Sequence, residues 1–420
     1  MQSDSATSPQ PAVDAHVPLG QLAAVGGASF LVIAFLARFP LAMLQLGALL
    51  YANARFDSFS VGGLMVAAMG IGGAVFGPFA GRLADRYGQR RIGVGLAILQ
   101  AVLLTAFLIS IESGVRTVIP LAAGIFCVGA VNPQIGPLSR TRWASMARSR
   151  PNRNRLVSAA MAYEAVADEM SFVLGPMAVG AIAGLVDPAA AMFSALVIGL
   201  VFQLAFALHP TAVGPAGHQV DLGRPQSVNW LQVVPLVTAV ASVGLVFGST
   251  QTGIAAWFDG LGQGVLTGLV YGCVGAGSAV AGLLVVNRLP ERFRLPVRIM
   301  VFGAGLGVLA LLLNATRDPI LLAAVCFTVG LMVAPVLISS YSAAERLVPP
   351  RAAAMIMTVL AMATAVGVSL GVAGGGWLVD NLGVHAALLV PVGAGALAAV
   401  SGMVATWQTR QLPPPPDLRR

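Results

Sequence analysis

The sequence predicts an all-α polytopic membrane protein of about 12 transmembrane helices in two six-helix halves. Three observations carry that prediction. Of the 420 residues, 57% are hydrophobic and only 10% charged, whereas an ordinary globular domain is about 25% charged. A soluble fold of this size needs more polar surface, but a bilayer lets apolar side chains face outward as well as inward. Apolar stretches of the roughly 20 residues needed to cross about 30 Å of hydrocarbon recur along the chain. The basic residues fall between those stretches, and almost all fall on one side.

Residues 1–20 are polar, hold Asp4 and Asp14, and lack the basic region of a secretory signal, so they read as an uncleaved cytoplasmic tail. The predicted spans are 24–52, 60–81, 92–111, 118–138, 157–185, 189–208, 231–257, 264–286, 298–314, 319–342, 353–379 and 385–407. Arg38 and Pro40 interrupt the first, and the fifth holds three acids. Residues 209–230, rich in glycine, proline and polar residues, read as a cytoplasmic linker between halves spanning 21–208 and 231–408. A Pro/Arg tail, 409–420, closes the chain. Gly184-Leu185-Val186-Asp187 at the end of the fifth span is echoed by Trp377-Leu378-Val379-Asp380 at the end of the eleventh. Repeated six-helix halves are a transporter construction, with the substrate site at their interface near the midplane.

There is no lysine, so all 24 basic residues are arginine and a phosphate-cradling Walker A lysine is excluded. With the N-terminus inside, 20 of the 24 lie in cytoplasmic segments, three (Arg55, Arg116, Arg317) lie opposite, and Arg38 lies within the first span. Short cytoplasmic loops retain arginine, which places both termini in the cytoplasm. The lysine-free composition suggests a GC-rich bacterium, hence a bacterial cytoplasmic membrane. The net charge of +8 does not indicate nucleic acid, because the arginines punctuate apolar runs and form no basic face. Cys127, Cys273 and Cys326 lie singly in apolar segments, so neither a disulfide framework nor a metal site is expected, and no cofactor is implied. His16, His209, His218 and His385 lie in tails, loops or a span end, which argues against a histidine proton relay.

Between spans two and three the chain reads Gly81-Arg82-Leu83-Ala84-Asp85-Arg86-Tyr87-Gly88-Gln89-Arg90-Arg91. It resembles the signature G-x-L-a-D-r-x-G-r-k of the major facilitator superfamily at Gly81, Leu83, Asp85, Arg86, Gly88 and Arg90, and departs at Gln89. The resemblance implies a fold of 12 helices, alternating access, and a gating role in which Asp85 latches the start of the eleventh helix near Arg351. Glycines would permit a tight turn with close helix approach. Gly175-Pro176 followed by Gly180 is similar to the family's antiporter-associated G-P-x-x-G-G, with Met177-Ala178-Val179 intervening. A kinked, closely packed helix built from small residues explains the same pattern.

Glu164, Asp168 and Glu169 place three acids in the fifth span. Each, ionised at the helix centre, would cost about 2.5–3.5 kcal/mol on insertion scales, so they should face a cavity or partners. Glu164 and Asp168 share a face, and Glu169 is turned about 100° from Asp168. Arg38 is expected at similar depth, which makes an Arg38–carboxylate pair either a proton-coupling element or a static tie between two helices. The resemblance makes spans 1, 4, 7 and 10 line the path. Their polar residues include Gln45, Asn132, Gln134, Ser249, Thr250, Gln251, Ser339 and Tyr341. Ile125 stands near the place where many proton-coupled exporters of the family carry an arginine. The function implied is secondary transport of a small molecule by a monomer, as proton-coupled efflux of a drug-like compound or metabolite. Uptake of an organic anion by symport or uniport is the alternative, and a non-transporting receptor is the alternative of another class. No enzyme chemistry is indicated.

Overall fold

The computed structural model describes residues 19–150, 152–215, 228–285, 288–290, 293–316 and 318–410. The predicted tails before Leu19 and beyond Arg410, linker residues 216–227, Arg292 and Arg317 lie outside the described residues. Among the described residues there is no strand, and 12 helices are long and apolar enough to cross a membrane.

The first span is broken into α1 (Leu19–Gly26), α2 (Ala28–Leu36) and α3 (Phe39–Phe56). Gly27, at φ +85°, adopts a backbone setting that favours glycine. Pro40 falls in the first turn of α3, where a missing N–H is tolerated. α4 (Phe59–Tyr87) and α5 (Gln89–Glu112) are joined by Gly88 alone, at φ +92°. α6 (Val118–Ala130) and α7 (Ile135–Ala147) form the fourth span around a break at Asn132-Pro133. This span continues well past the predicted end at 138, so Arg140 and Arg142 belong to a helix and not to a loop. α8 (Arg153–Leu185) and α9 (Pro188–Leu208) complete the first half, with the Asp187 carboxylate accepting from the Ala189 N–H at 2.7 Å to cap α9.

The second half is α10 (Trp230–Gly260), α11 (Val265–Val280) leading into a π-helical turn (Ala281–Val285), α12 (Leu295–Ala310) with the one-turn α13 (Leu312–Ala315), α14 (Pro319–Leu347), α15 (Pro350–Leu382) and α16 (Val384–Arg410). Exposed positions along the spans are apolar, Val102, Ile109, Val197, Val308 and Leu397 among them, as hydrocarbon requires. Each half has its own core, around Leu46, Met65 and Leu108 in the first and Val243, Leu306 and Val329 in the second. Ala255, Ala256 and Val372 of the second half join the first half's core.

The halves meet along two antiparallel helix pairs. α8 lies on α11 with Gly180 so close that an added Cβ would stand 2.5 Å from the Gly268 nitrogen. α4 lies on α15 with Gly63 against the Val372 backbone, 2.7 Å from an added Cβ. Small residues permit such backbone approach. At the end remote from the 81–91 loop the junction is sealed by polar contacts. The Asp380 carboxylate accepts from Ser58 Oγ at 2.7 Å and from the Phe59 and Ser60 N–H groups at 3.0 and 2.8 Å, and Asn53 donates to Asp259 at 3.1 Å. At the arginine-rich end a Cβ on Gly81 would meet nothing within 4 Å, and one on Gly282 would meet only Ala334 and Ile338 of its own half. Neither glycine brings the two halves into close approach at that end.

Candidate functional site

The break between α2 and α3 turns Arg38 into the bundle, where its side chain is 5% exposed. Its Nε–H donates to Asp168 at 2.7 Å, one Nη to Glu164, and the other Nη to the Ala34 carbonyl. The four-residue spacing of Glu164 and Asp168 puts both on one face of α8. Ser139 and Trp143, also four apart, present α7's matching face: the Ser139 hydroxyl and the Trp143 indole N–H donate to Glu164 at 2.7 and 2.8 Å. Arg140 donates to the other Asp168 oxygen at 2.5 Å. Two arginines and two carboxylates thus close into one network across α3, α7 and α8, and every buried charge has a counter-charge and hydrogen bonds. Exposure rises through it from 0% at Glu164 to 32% at Asp168 and 42% at Arg140. Glu169 points elsewhere, toward Ser278 of α11, whose hydroxyl donates to it.

Arg38 is not the only arginine at depth. Arg142 is fully buried, stacked 3.7 Å over the Phe206 ring, with Nε–H donating to Gln89 at 2.8 Å and Nη1 to the Phe206 carbonyl at 2.8 Å. This accounts for the departure at Gln89, since a basic side chain there would put a second cation against Arg142. The start of the linker packs onto the same place: Gln89 N–H donates to the Val213 carbonyl at 3.0 Å, and Pro215 stands over Gly88. His209 is held there by Thr211 and Ser29. Burial first, and then Arg142, hold its pKa below the ordinary 6.5.

Gly88 supplies the tight turn that its motif suggests, but Gly81 lies inside α4 with no neighbouring helix against it. Asp85 and Arg90 are exposed; no described residue pairs with Asp85, and Arg86 stacks 5.2 Å from the Tyr87 ring. In the Gly175-Pro176 segment, Gly175 admits α3, a Cβ there standing 2.7 Å from Ala42 Cβ, and Gly180 admits α11. Asn132 is buried and accepts from Gln100 at 2.9 Å, while the Gln134 amide donates to the Asn132 carbonyl at 3.1 Å. Both are therefore engaged at the helix break. Gln45 is half-buried, Gln251 is buried with Oε1 unpartnered, and Tyr341 lies near Arg140 and Thr364. Arg140, Ser139 and Trp143 were the site members hidden in the sequence. Their signal was the i, i+4 spacing of Ser139 and Trp143, obscured by reading the segment as a loop. Among the described residues no three His, Cys, Asp or Glu side chains could hold a metal ion.

The family described as Major Facilitator Superfamily matches residues 30–371 and 294–420. Solved structures of similar fold include the nucleoside transporter NupG, at 16% identity over 90% of this chain and 98% of that one, with a TM-score of 0.67. A bacterial homologue of the iron transporter ferroportin in an inward-facing state matches at 16% identity over 93% and 100% of the two chains, with a TM-score of 0.67. An auto-inhibited POT family peptide transporter matches at 12% identity over 93% and 98%, with a TM-score of 0.64. At these identities the likeness is one of fold. Comparison with curated protein sequences finds no match.

Proposed function

The chain belongs to the Major Facilitator Superfamily, whose members are membrane transporters and not enzymes, and from that premise we propose that it exports a drug-like compound or metabolite in exchange for protons. The exchange runs by alternating access across a bacterial cytoplasmic membrane, with both termini inside. The observation that carries this reading is the rise in exposure through the acids of α8, from 0% at Glu164 to 32% at Asp168, which we read as leading from the core to a cleft between the halves at the arginine-rich end. Acids retained at membrane depth mark ion pathways, because their insertion is costly. The arginine asymmetry makes the open end cytoplasmic, so the sealed end, held by Asp380 and Asn53, is the outer gate.

Purified protein in proteoliposomes under an imposed pH gradient tests this, with ethidium, uridine and benzoate as cationic, neutral and anionic probes. Substrate movement opposite to proton movement supports antiport. The second reading, anion uptake, is favoured by the guanidinium of Arg140, 42% exposed at the cleft, and predicts benzoate and protons moving together. Binding of a probe without flux would overturn transport altogether.

A further inference from the structure

The three acids of α8 are not equivalent. Arg38 and Arg140 match the charges of Glu164 and Asp168. Glu169 has no arginine in ion-pair contact among the described residues, and it faces the other half. The α8–α11 register runs Gly184 on Val265, Gly180 on Gly268 and Val173 on Gly275, and the next turn brings Glu169 to Ser278. One turn further, α11 passes into the π-helical turn Ala281–Val285, where a Cβ added to Gly282 would meet only Ile338 and Ala334 of its own half. Glu169–Ser278 thus joins α8 to α11 across the two halves, beside a π-helical irregularity of the kind that marks functional positions.

Resting on the transporter reading above, we propose that Glu169 is the proton-carrying carboxylate, with Ser278 its hydrogen-bond partner from the opposite half, and that the Arg38–Glu164–Asp168–Arg140 network is a fixed scaffold. With the cleft open, a hydronium ion gives its proton to a Glu169 oxygen: one O–H bond forms, one breaks, and water leaves. Closing the cleft would extend the α8–α11 contact past Glu169 and withdraw it from water. A carboxylate without counter-charge resists that step, and the neutral acid does not. When the other end opens, the proton passes back to water. The charged group that acts on it is Asp168 of its own helix, itself paired with Arg38 and Arg140, and α11 contributes the uncharged Ser278. A carboxylate and one hydroxyl are too few oxygens for a hard metal ion, which leaves the proton as the ligand.

Two measurements test the two levels separately. Infrared difference spectra of the reconstituted protein between acidic and alkaline buffer should show a protonated-carboxyl C=O band that disappears in Glu169→Gln and persists in Asp168→Asn. This readout needs no substrate. A band that persists in Glu169→Gln and vanishes in Asp168→Asn overturns the inference and leaves the transporter reading standing. In the proteoliposome assay, Glu169→Gln should keep downhill exchange of the transported probe but lose pH-gradient-driven flux by about tenfold or more, with a flat pH profile. Unchanged proton coupling in that variant also overturns the assignment. If wild type moves a probe without protons under every gradient, the antiport reading fails first, and the inference with it. Should Glu169→Gln fail to give folded protein, Glu169→Asp takes its place: a displaced C=O band and a shifted pH profile support the assignment, and an unchanged band and profile overturn it.

Discussion

The two halves keep polar side chains in their interiors in opposite ways. In the first, the deepest network is charged and matched, Arg38 with Glu164 and Asp168 and Arg140 with Asp168, while Arg142 has no counter-charge and is held by Gln89 and the Phe206 ring and carbonyl with Nη2 unpartnered. In the second, they are neutral, and several are stranded, since Thr250 Oγ1, Gln251 Oε1, Thr267 Oγ1 and Ser339 Oγ are buried without a partner. Physics separates the two cases. An unmatched buried charge costs several kcal/mol, which favours holding charges such as Arg38 and Glu164 in a network of counter-charges and hydrogen bonds. A stranded hydroxyl or amide costs about 1–3 kcal/mol and can be tolerated. The first half is therefore built to hold an electrostatic arrangement still. The charged network lies within the first half, so none of its ion pairs joins it to the second half.

The contrast breaks most directly at Glu164. Glu164→Gln removes one of two carboxylates from Arg38 and, if its Oε1 keeps accepting from Ser139 and Trp143, turns an NH2 donor toward the guanidinium, and should destabilise the detergent-solubilised protein by about 3–5 kcal/mol. Gln251→Leu in the second half, which removes an already unpartnered oxygen, should cost less than about 1.5 kcal/mol. Equal losses in thermal unfolding would erase the distinction between the halves. Next in size is Gln89→Arg. Gln89 is 2% exposed and accepts from Arg142, so a second guanidinium at that contact should cost about 2–3 kcal/mol, and less if Arg142→Gln is made with it.

Composition and recurring apolar runs of about 20 residues made the helices legible, because a bilayer imposes length and polarity on every span. The opposition of Arg38 to Glu164 and Asp168 was also legible, since four-residue spacing and a lone arginine at similar depth leave few ways to satisfy three charges. The continuation of the fourth span to Ala147 was not. A hydropathy window ends at the first cluster of arginines, and only the tertiary partners of Arg140 and Arg142 show that the helix continues inside the bundle. Gln89 looked like a simple departure from a motif because its partner lies 53 positions away. The Asp187 and Asp380 repeat was visible, but repeat position carries no information about which half each acid touches.

Those two acids sharpen the comparison at the junction itself. Asp187 stays within its half, capping α9 and lying 3.4 Å from Arg55, whereas Asp380 reaches across to the N-terminus of α4. Helix N-termini favour carboxylates, and losing such a cap costs about 1–2 kcal/mol. For Asp380 that loss should fall on the contact between the halves at the end remote from the 81–91 loop, a shift of about 5–30-fold between its joined and parted forms. Spin-label distances between the start of α4 and the end of α15 should therefore lengthen in Asp380→Ala and stay unchanged in Asp187→Ala, where the same loss appears as lower thermal stability. Lengthening in both, or in neither, would mean that the repeat acids share one role.

The smallest effect comes at the margin of the charged half, where His209 meets Arg142. The Thr211 N–H donates to Nδ1 at 3.3 Å, which leaves the neutral ring's proton on Nε2, 3.3 Å from Ser29 Oγ. Burial and Arg142 both disfavour the imidazolium, so the folded protein binds this proton less readily than the unfolded chain. The unfolded chain then holds more protons once pH drops below its value of 6.5. The stability due to the neutral ring is full above that pH and is lost as pH falls through the lower folded-state value. Screening at this half-exposed position limits the loss to about a few tenths of a kcal/mol. It is read as the difference between wild-type and His209→Gln unfolding midpoints across that acidic window. The difference should shrink when Arg142→Gln removes the second cause and should persist in part, because burial, the larger cause, remains; parallel curves for wild type and His209→Gln would place the imidazole outside the network.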